Sequence, residues 1–193
     1  MQLEILLPSK PRIVSEEEQK GVYEIDGLYP GYGHTLGNSL RRIIFSSMPG
    51  AALTLVKIDG VPHEFSTLPG VKEDVVSLLI NLQKIRFRMS SNEAQTLSLE
   101  LSGVRTVTGA DLKTPGQVEV LDQDTVIAHL TEKSAKLGIE MRLEKGLGYV
   151  PKEQCQKEKM EVGAIALDAA FTPVRRVNYE VENMRVGDRT DYN

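Results

Sequence analysis

Three stretches in the middle of the chain alternate apolar and polar residues with a period of two. Their apolar positions are Ile85, Phe87 and Met89, then Leu97, Leu99 and Leu101, then Leu137, Ile139, Met141 and Leu143. Because successive side chains of a strand point to opposite faces, this pattern predicts strands with one buried and one solvated face. Sheets of that kind are antiparallel as a rule, since parallel sheets are covered on both faces. We therefore predict a mainly antiparallel sheet between residues 85 and 143.

Two other segments follow the period of a helix. The first has apolar residues at i, i+4, i+7 and i+8: Leu36, Leu40, Ile43 and Ile44. Thr35 is placed to cap this helix and Pro49-Gly50 to end it. The second has its apolar face at Val71, Val75, Leu78, Leu79 and Leu82. Glu73 and Asp74 fall in its first turn, where negative charge complements the helix dipole.

The ends of the chain predict further strands. Leu3 to Leu6 and Val22 to Ile25 read as hairpin arms around a solvated acidic turn at Glu16 to Glu18. Ala52 to Ile58 reads as a strand that follows the first helix. Val177, Tyr179 and Val181 predict a last alternating strand. Helices and an antiparallel sheet together indicate the α+β class.

Composition excludes several functional classes. The 193 residues are 40% hydrophobic and 26% charged, which is ordinary for a folded protein of one or two domains. The chain has no apolar run of membrane-spanning length, and its start lacks the basic residues of a secretion signal, so we expect a cytoplasmic protein. Cys155 is the single cysteine, which excludes an internal disulfide and a multi-cysteine metal site. The net charge of −4 argues against direct DNA binding.

The candidate catalytic patterns are weak. Gly31 to Gly37 resembles a phosphate-binding loop, but Leu36 stands where a dinucleotide fingerprint needs its third glycine, and the lysine of a P-loop is missing. A tight turn at Gly31 and Gly33, with Gly37 allowing close approach of another backbone, is the better interpretation. The three histidines, His34, His63 and His129, have no metal-ligand spacing. We predict no catalytic residue, no metal and no cofactor.

Two adjacent arginines, Arg41 and Arg42, adjoin the apolar face of the first helix. Arginine is enriched where proteins meet proteins, whereas most charged surface residues are simply solvated. Adjacent helical residues diverge by about 100°, so the two guanidinium groups serve different directions. The pattern alone leaves an interface and a solvated pair both open.

A long run of residues carries a family resemblance. Gly31-Tyr32-Gly33-His34-Thr35-Leu36-Gly37-Asn38-Ser39-Leu40-Arg41-Arg42-Ile43, followed by Ser46-Ser47-Met48-Pro49-Gly50, resembles the signature of the bacterial RNA polymerase alpha subunit. The likeness continues at residues 58–61, 63–67, 70–71, 73–74, 81–82, 146–151, 173–174, 177–179 and 189–191. It therefore covers essentially the whole chain.

The resemblance implies a discontinuous architecture and a function as a scaffold. Residues 1–48 and 170–193 would form a dimerisation domain, and residues 49–169 an inserted, mainly antiparallel β domain. The function implied is that of a non-catalytic assembly subunit of DNA-directed RNA polymerase, which dimerises and gathers the beta and beta-prime subunits.

The resemblance also implies which residues make these contacts. The dimer interface would consist of Leu36, Gly37, Leu40, Ile43 and Ile44. The beta subunit would contact Arg41, Arg42, Phe45 and Gln83, with Arg42 the more critical arginine. Further contacts with beta and beta-prime would come from a loop that includes Leu167, Thr172 and Pro173.

Two departures from the family pattern limit this transfer. Gln83 stands where the family commonly carries a lysine, so that polar contact is changed or lost. The chain ends after Arg189-Thr190-Asp191, where family members continue into a second dimerisation helix, a linker and a DNA-binding domain. We therefore expect a weakened homodimer and no direct DNA contact. Two alternatives remain: a free-standing protein-interaction domain, and a small nucleotide-binding enzyme that uses Gly31 to Gly37.

Overall fold

The computed structural model describes residues 8–155, 163–186 and 189–192. They form two compact units. The terminal unit contains the described residues up to Ile44 and from Arg176 onward, and the central unit is Phe45–Arg175. The resemblance implies slightly different boundaries, after residues 48 and 169, and its assignment of a role to each domain stays a prediction.

Strands outnumber helices in the described part of the chain. The elements in chain order are β1 (Arg12–Glu17), β2 (Lys20–Glu24), α1 (Tyr32–Ser47), β3 (Pro49–Ile58), α2 (Val75–Lys84), β4 (Phe87–Met89), β5 (Gln95–Ser102), β6 (Arg105–Thr108), a 3-10 turn (Gly109–Asp111), β7 (Val118–Val120), β8 (Val126–Leu130), β9 (Lys136–Leu147), β10 (Tyr149–Val150), α3 (Lys152–Cys155), β11 (Ala164–Ala166), β12 (Ala169–Ala170), β13 (Met184–Val186) and β14 (Arg189–Tyr192). Every strand pair between them is antiparallel. The predicted α+β class with a mainly antiparallel sheet is confirmed.

The central sheet has the order β5-β9-β3-β4-β7, with β11 also paired to β3. Strand β9 is its longest member and pairs with β5 on one side and β3 on the other. The alternation predicted there is confirmed, because the apolar side chains face the core. The buried positions of β5 and β9 are Leu97, Leu99, Leu137, Ile139, Met141 and Leu143. Leu101, close to the strand end, is half-buried.

Strand β3 has a bulge at Thr54 that exposes its backbone to a neighbouring loop. The register with β9 shifts between Leu53 and Leu55. The Thr54 carbonyl accepts a hydrogen bond from Leu167 N at 2.9 Å, which holds the chain that follows β11 against the sheet. A bulge thus positions a segment in which the resemblance expects contact residues.

Helix α2 begins later than the sequence pattern predicts. Asp74 is its N-cap, and the Asp74 carboxylate accepts a hydrogen bond from Ser77 N at 2.9 Å. The prediction of Val71 as a helical residue is wrong, because Val71 forms an isolated bridge with Leu130 instead. The other four predicted positions, Val75, Leu78, Leu79 and Leu82, are buried as predicted.

Helix α1 begins earlier than predicted, at Tyr32 rather than after Thr35. Gly31 has a φ of 81°, a left-handed conformation that glycine adopts without strain, and Tyr32 N bonds to the Tyr29 carbonyl at 2.9 Å. This turn leads directly into the helix, so Thr35 lies inside it and is no cap. Gly33 is likewise in the first helical turn rather than in the turn before it.

The strands predicted near the two ends of the chain differ from those in the structure. The first hairpin exists, but β1 takes in Glu16 and Glu17, while the run Leu3 to Leu6 lies outside the described residues. The strand predicted at Val177 to Val181 is wrong, since no strand lies between β12 and β13. In the described ranges, no helix combines the length and the apolar character needed to cross a membrane.

Candidate protein-interaction surfaces

The apolar stripe of α1 is only partly covered by its own unit. Leu36 and Ile44 are half-buried, whereas Leu40 is 38% exposed and Ile43 is 55% exposed. Residues three apart in a helix are neighbours on its surface, so Leu40 and Ile43 form one small apolar area. This area is available to another polypeptide chain.

Gly37 accommodates an aromatic ring of the same unit. A Cβ atom at Gly37 would lie 2.5 Å from Tyr179 Cδ2, which no side chain tolerates. The ring of His34 meets the Tyr179 ring edge-on, with centroids 6.1 Å apart. The close approach expected at Gly37 therefore comes from a side chain and not from another backbone.

Arg41 and Arg42 are both exposed on α1. Neither guanidinium group takes part in a hydrogen bond or an ion pair with the residues that the structure describes. Both are therefore free to bind a carboxylate or a carbonyl group of a partner.

The loop that contains Thr172 and Pro173 packs against glycines of the central sheet. Gly50 and Gly146 pair across β3 and β9. A Cβ atom at Gly50 would collide with the Phe171 carbonyl, and one at Gly146 would lie 2.8 Å from the Phe171 ring. The Gly148 carbonyl accepts hydrogen bonds from Phe171 N at 2.8 Å and from Thr172 N at 3.3 Å. These contacts fix the start of the loop, and they leave Pro173 exposed and Thr172 half-buried.

Gln83 and Leu167 come together around Asp168. Gln83, exposed near the end of α2, donates from Nε2 to the Asp168 carbonyl at 3.2 Å. Leu167 is only 5% exposed and belongs to the core, so its side chain offers little surface to a partner. Phe45, the other expected contact residue of this unit, is half-buried at the end of α1.

Sequence reasoning did not single out Asp168 or Tyr149, which lie beside Gln83. Asp168 Oδ1 accepts a hydrogen bond from Lys152 N at 2.9 Å. Partial desolvation raises the pKa of Tyr149, and the neighbouring Asp168 carboxylate raises it further, so the phenol is neutral near pH 7. Asp168 lies within the predicted contact loop, but nothing in its local sequence indicated that three segments would meet there.

His129 has a structural role that its sequence position did not reveal. Its ring Nδ1 lies 2.5 Å from Glu73 Oε1, and its backbone N donates to Glu73 Oε2 at 2.7 Å. Among the described residues, no three His, Cys, Asp or Glu side chains cluster in a way that could hold a metal ion.

Comparisons with known proteins show the family of this chain. The family model described as "RNA polymerase Rpb3/RpoA insert domain" matches residues 56–172. A protein of Symbiobacterium thermophilum named DNA-directed RNA polymerase subunit alpha is 48% identical over 187 residues, which are 95% of this chain and 59% of the relative.

Two further relatives carry the same name. The Alkaliphilus oremlandii protein is 48% identical over 95% of this chain and 59% of its own length. The protein of a Roseiflexus species is 45% identical over 98% of this chain and 58% of its own. The chain thus spans about three-fifths of the length of the curated relatives that it matches. It belongs to the family of bacterial RNA polymerase alpha subunits.

Proposed function

We propose that the chain is a non-catalytic assembly subunit of a bacterial DNA-directed RNA polymerase and acts in the cytoplasm. The observation that carries this proposal is the surface of α1, where exposed Leu40 and Ile43 lie beside two arginines that have no partner among the described residues. Apolar residues flanked by arginine are typical of interfaces. The names of the relatives identify the kind of assembly.

Homodimerisation is proposed for the apolar stripe of α1. Its residues are Leu36, Gly37, Leu40, Ile43 and Ile44. Burying an aliphatic side chain contributes about 1.5–3 kcal/mol, but association and ordering consume several kcal/mol. With two well-exposed apolar side chains, the expected dimer is reversible at micromolar concentration.

Contact with the beta subunit is proposed for Arg41, Arg42, Phe45 and Gln83. The two arginines offer charge, and each points in its own direction from the helix. Gln83 keeps a polar group at its position, but its amide is already engaged with the Asp168 carbonyl.

Contact with beta or beta-prime is proposed for the loop that contains Leu167, Thr172 and Pro173. Because Leu167 is buried, its contribution is to hold the loop, while the exposed ring of Pro173 and the neighbouring Asp168 meet the partner. The glycines that contact Phe171 hold this loop in place in the free chain. The loop therefore loses little conformational freedom on binding.

Co-purification tests the assignment directly. The tagged chain, expressed with the beta and beta-prime subunits of the same bacterium, is expected to retain both on an affinity column at moderate salt. Failure to retain either subunit, with a folded chain, would contradict the proposal. The free-standing interaction domain would then be the better interpretation.

A further inference from the structure

Arg86 has a buried polar atom that nothing in the described chain satisfies. The residue follows Ile85, the C-cap of α2, and its side chain lines a cleft of the central unit. Its Nε–H is buried and has no hydrogen-bond partner among the described residues. Buried polar groups in native proteins are hydrogen-bonded as a rule, so this donor requires an explanation.

The backbone of Arg86 is held firmly at both ends. Arg86 N donates to Asp122 Oδ2 at 3.1 Å, and the Arg86 carbonyl accepts from Leu121 N at 2.9 Å. The Asp122 carboxylate therefore binds the backbone of Arg86, and no ion pair of the described residues joins it to the guanidinium group. These bonds fix the backbone from which the side chain starts.

The cleft is suited to one side chain rather than to a small-molecule ligand. Its volume is about 210 Å³, below the roughly 300–1,000 Å³ of typical ligand pockets. Its apolar walls come from Ala51, Ala52, Leu53, Leu82, Ile85 and Ala170. Gln83, Tyr149 and Asp168 provide the polar part of its lining.

The unpaired guanidinium group of this lining favours an acidic occupant. Among the described residues of the lining, Asp168 is the one carboxylate, and its Oδ1 already accepts from Lys152 N. Arg86 is the one guanidinium there, and no ion pair of the described residues includes it. Arg86 is thus the unpaired cation of the cleft, and a carboxylate is the acceptor that best matches the donors of its guanidinium group.

We propose that this cleft, hereafter the Arg86 cleft, receives an acidic side chain of a partner polypeptide, whose carboxylate pairs with Arg86. The inference rests on the proposed function, because the partner is a large subunit of the polymerase. The cleft shares Gln83 and Asp168 with the surface proposed above, so the acidic side chain would anchor that same interface.

The test compares Arg86→Met with Arg88→Met in the full chain. Arg88 lies two residues further on, in β4, and its exposed guanidinium group pairs with Glu119 at 2.9 Å. Both variants lose one positive charge, but only the first removes the guanidinium group from the cleft. The affinity of each variant for the purified beta and beta-prime subunits is measured by titration calorimetry, and thermal unfolding is recorded alongside.

Arg86→Met is expected to weaken binding by about thirtyfold or more, as truncation of a buried interfacial charge does. Its unfolding temperature should be unchanged or higher, since an unsatisfied buried donor has been removed. Arg88→Met should change affinity by less than about threefold, because exposed ion pairs contribute little. Arg86→Lys should bind with intermediate affinity, because it keeps the charge but not the planar set of donors.

Other outcomes separate the two proposals. If the unchanged chain binds neither subunit, the proposed function fails. If it binds, and Arg86→Met binds within about threefold of it, the Arg86 cleft is not an anchor site. Equal salt dependence of binding for the unchanged chain and Arg86→Met would indicate an uncharged occupant and overturn the carboxylate assignment. Should Arg86→Met fail to fold, Arg86→Gln provides the same comparison with a polar side chain.

Discussion

Glu73→Gln tests a contact that joins the start of α2 to strand β8. The carboxylate of Glu73 accepts from His129 N at 2.7 Å and lies 2.5 Å from His129 Nδ1. Glutamine has nearly the same size but only one oxygen, so it can accept only one of these two hydrogen bonds. Its NH2 group then takes the place of a carboxylate oxygen that accepted a hydrogen bond.

The expected cost follows from burial and charge. The Glu73 side chain is 16% exposed, so water replaces the lost hydrogen bond poorly. Hydrogen bonds to a charged group contribute about 1.5–3 kcal/mol each, and the loss of one should lower the free energy of unfolding by that amount. Glu119→Gln is the matched control, because Glu119 is 59% exposed and pairs with Arg88 on the surface. It should cost at most about 1 kcal/mol.

The same contact predicts a dependence on pH. Burial alone would raise the pKa of Glu73, but the hydrogen bonds from the His129 ring and backbone outweigh it and hold this pKa below 4.5. A carboxyl group whose pKa is lowered by folding stabilises the protein above its unfolded pKa. That contribution is lost as the pH falls through the lower, folded value. The stability gap between the unchanged protein and Glu73→Gln should therefore shrink as the pH falls below 4.5.

Urea unfolding followed by circular dichroism measures both quantities for the unchanged protein and the two variants. If Glu73→Gln costs no more than Glu119→Gln near pH 7, the contact between Glu73 and His129 does not stabilise the fold. A stability gap that stays constant well below pH 4.5 would show that the Glu73 carboxylate is not the titrating group.

Three further changes probe the proposed interfaces. Arg42→Ala should weaken capture of the beta subunit by about 2 kcal/mol with the fold intact, and Arg41→Ala by less; equal capture by Arg42→Ala in a pull-down titration would contradict its assignment. Gly50→Ala should lower the free energy of unfolding by about 1–3 kcal/mol, because its Cβ collides with the backbone of the contact loop. Gly116→Ala, whose Cβ meets nothing within 4 Å, is its control in urea unfolding. Ile43→Ser should shift sedimentation equilibrium toward the monomer, and an unchanged dimer would show that α1 does not form the interface.

The alternating segment from Val177 to Val181 shows how far a hydrophobic pattern can be read. Its three apolar residues are half-buried and the polar residues between them are exposed, so the pattern predicted the side-chain orientations correctly. The strand that it predicted does not form, because a strand also needs a hydrogen-bonded neighbouring strand. Tyr179 instead packs on Gly37 of α1, so its ring is partly buried without any pairing of strands.

Local chemistry determined the main elements of this protein. Period-two alternation placed the buried faces of β5 and β9, and helical spacing placed the buried face of α2. The signature from Gly31 to Ile43 indicated the family before any geometry was known. Each of these features depends on residues close together in the chain, which is why a sequence can reveal them.

Only the tertiary structure decided which distant residues meet. Glu73 was expected to act on a helix dipole and instead binds His129, 56 residues away. Arg86 was expected on a solvated strand face, yet its Nε is buried beside a cleft built from segments more than 80 residues apart. Such contacts depend on how strands are ordered in the sheet and where loops cross it. That arrangement minimises the free energy of the whole chain, and no short segment contains it.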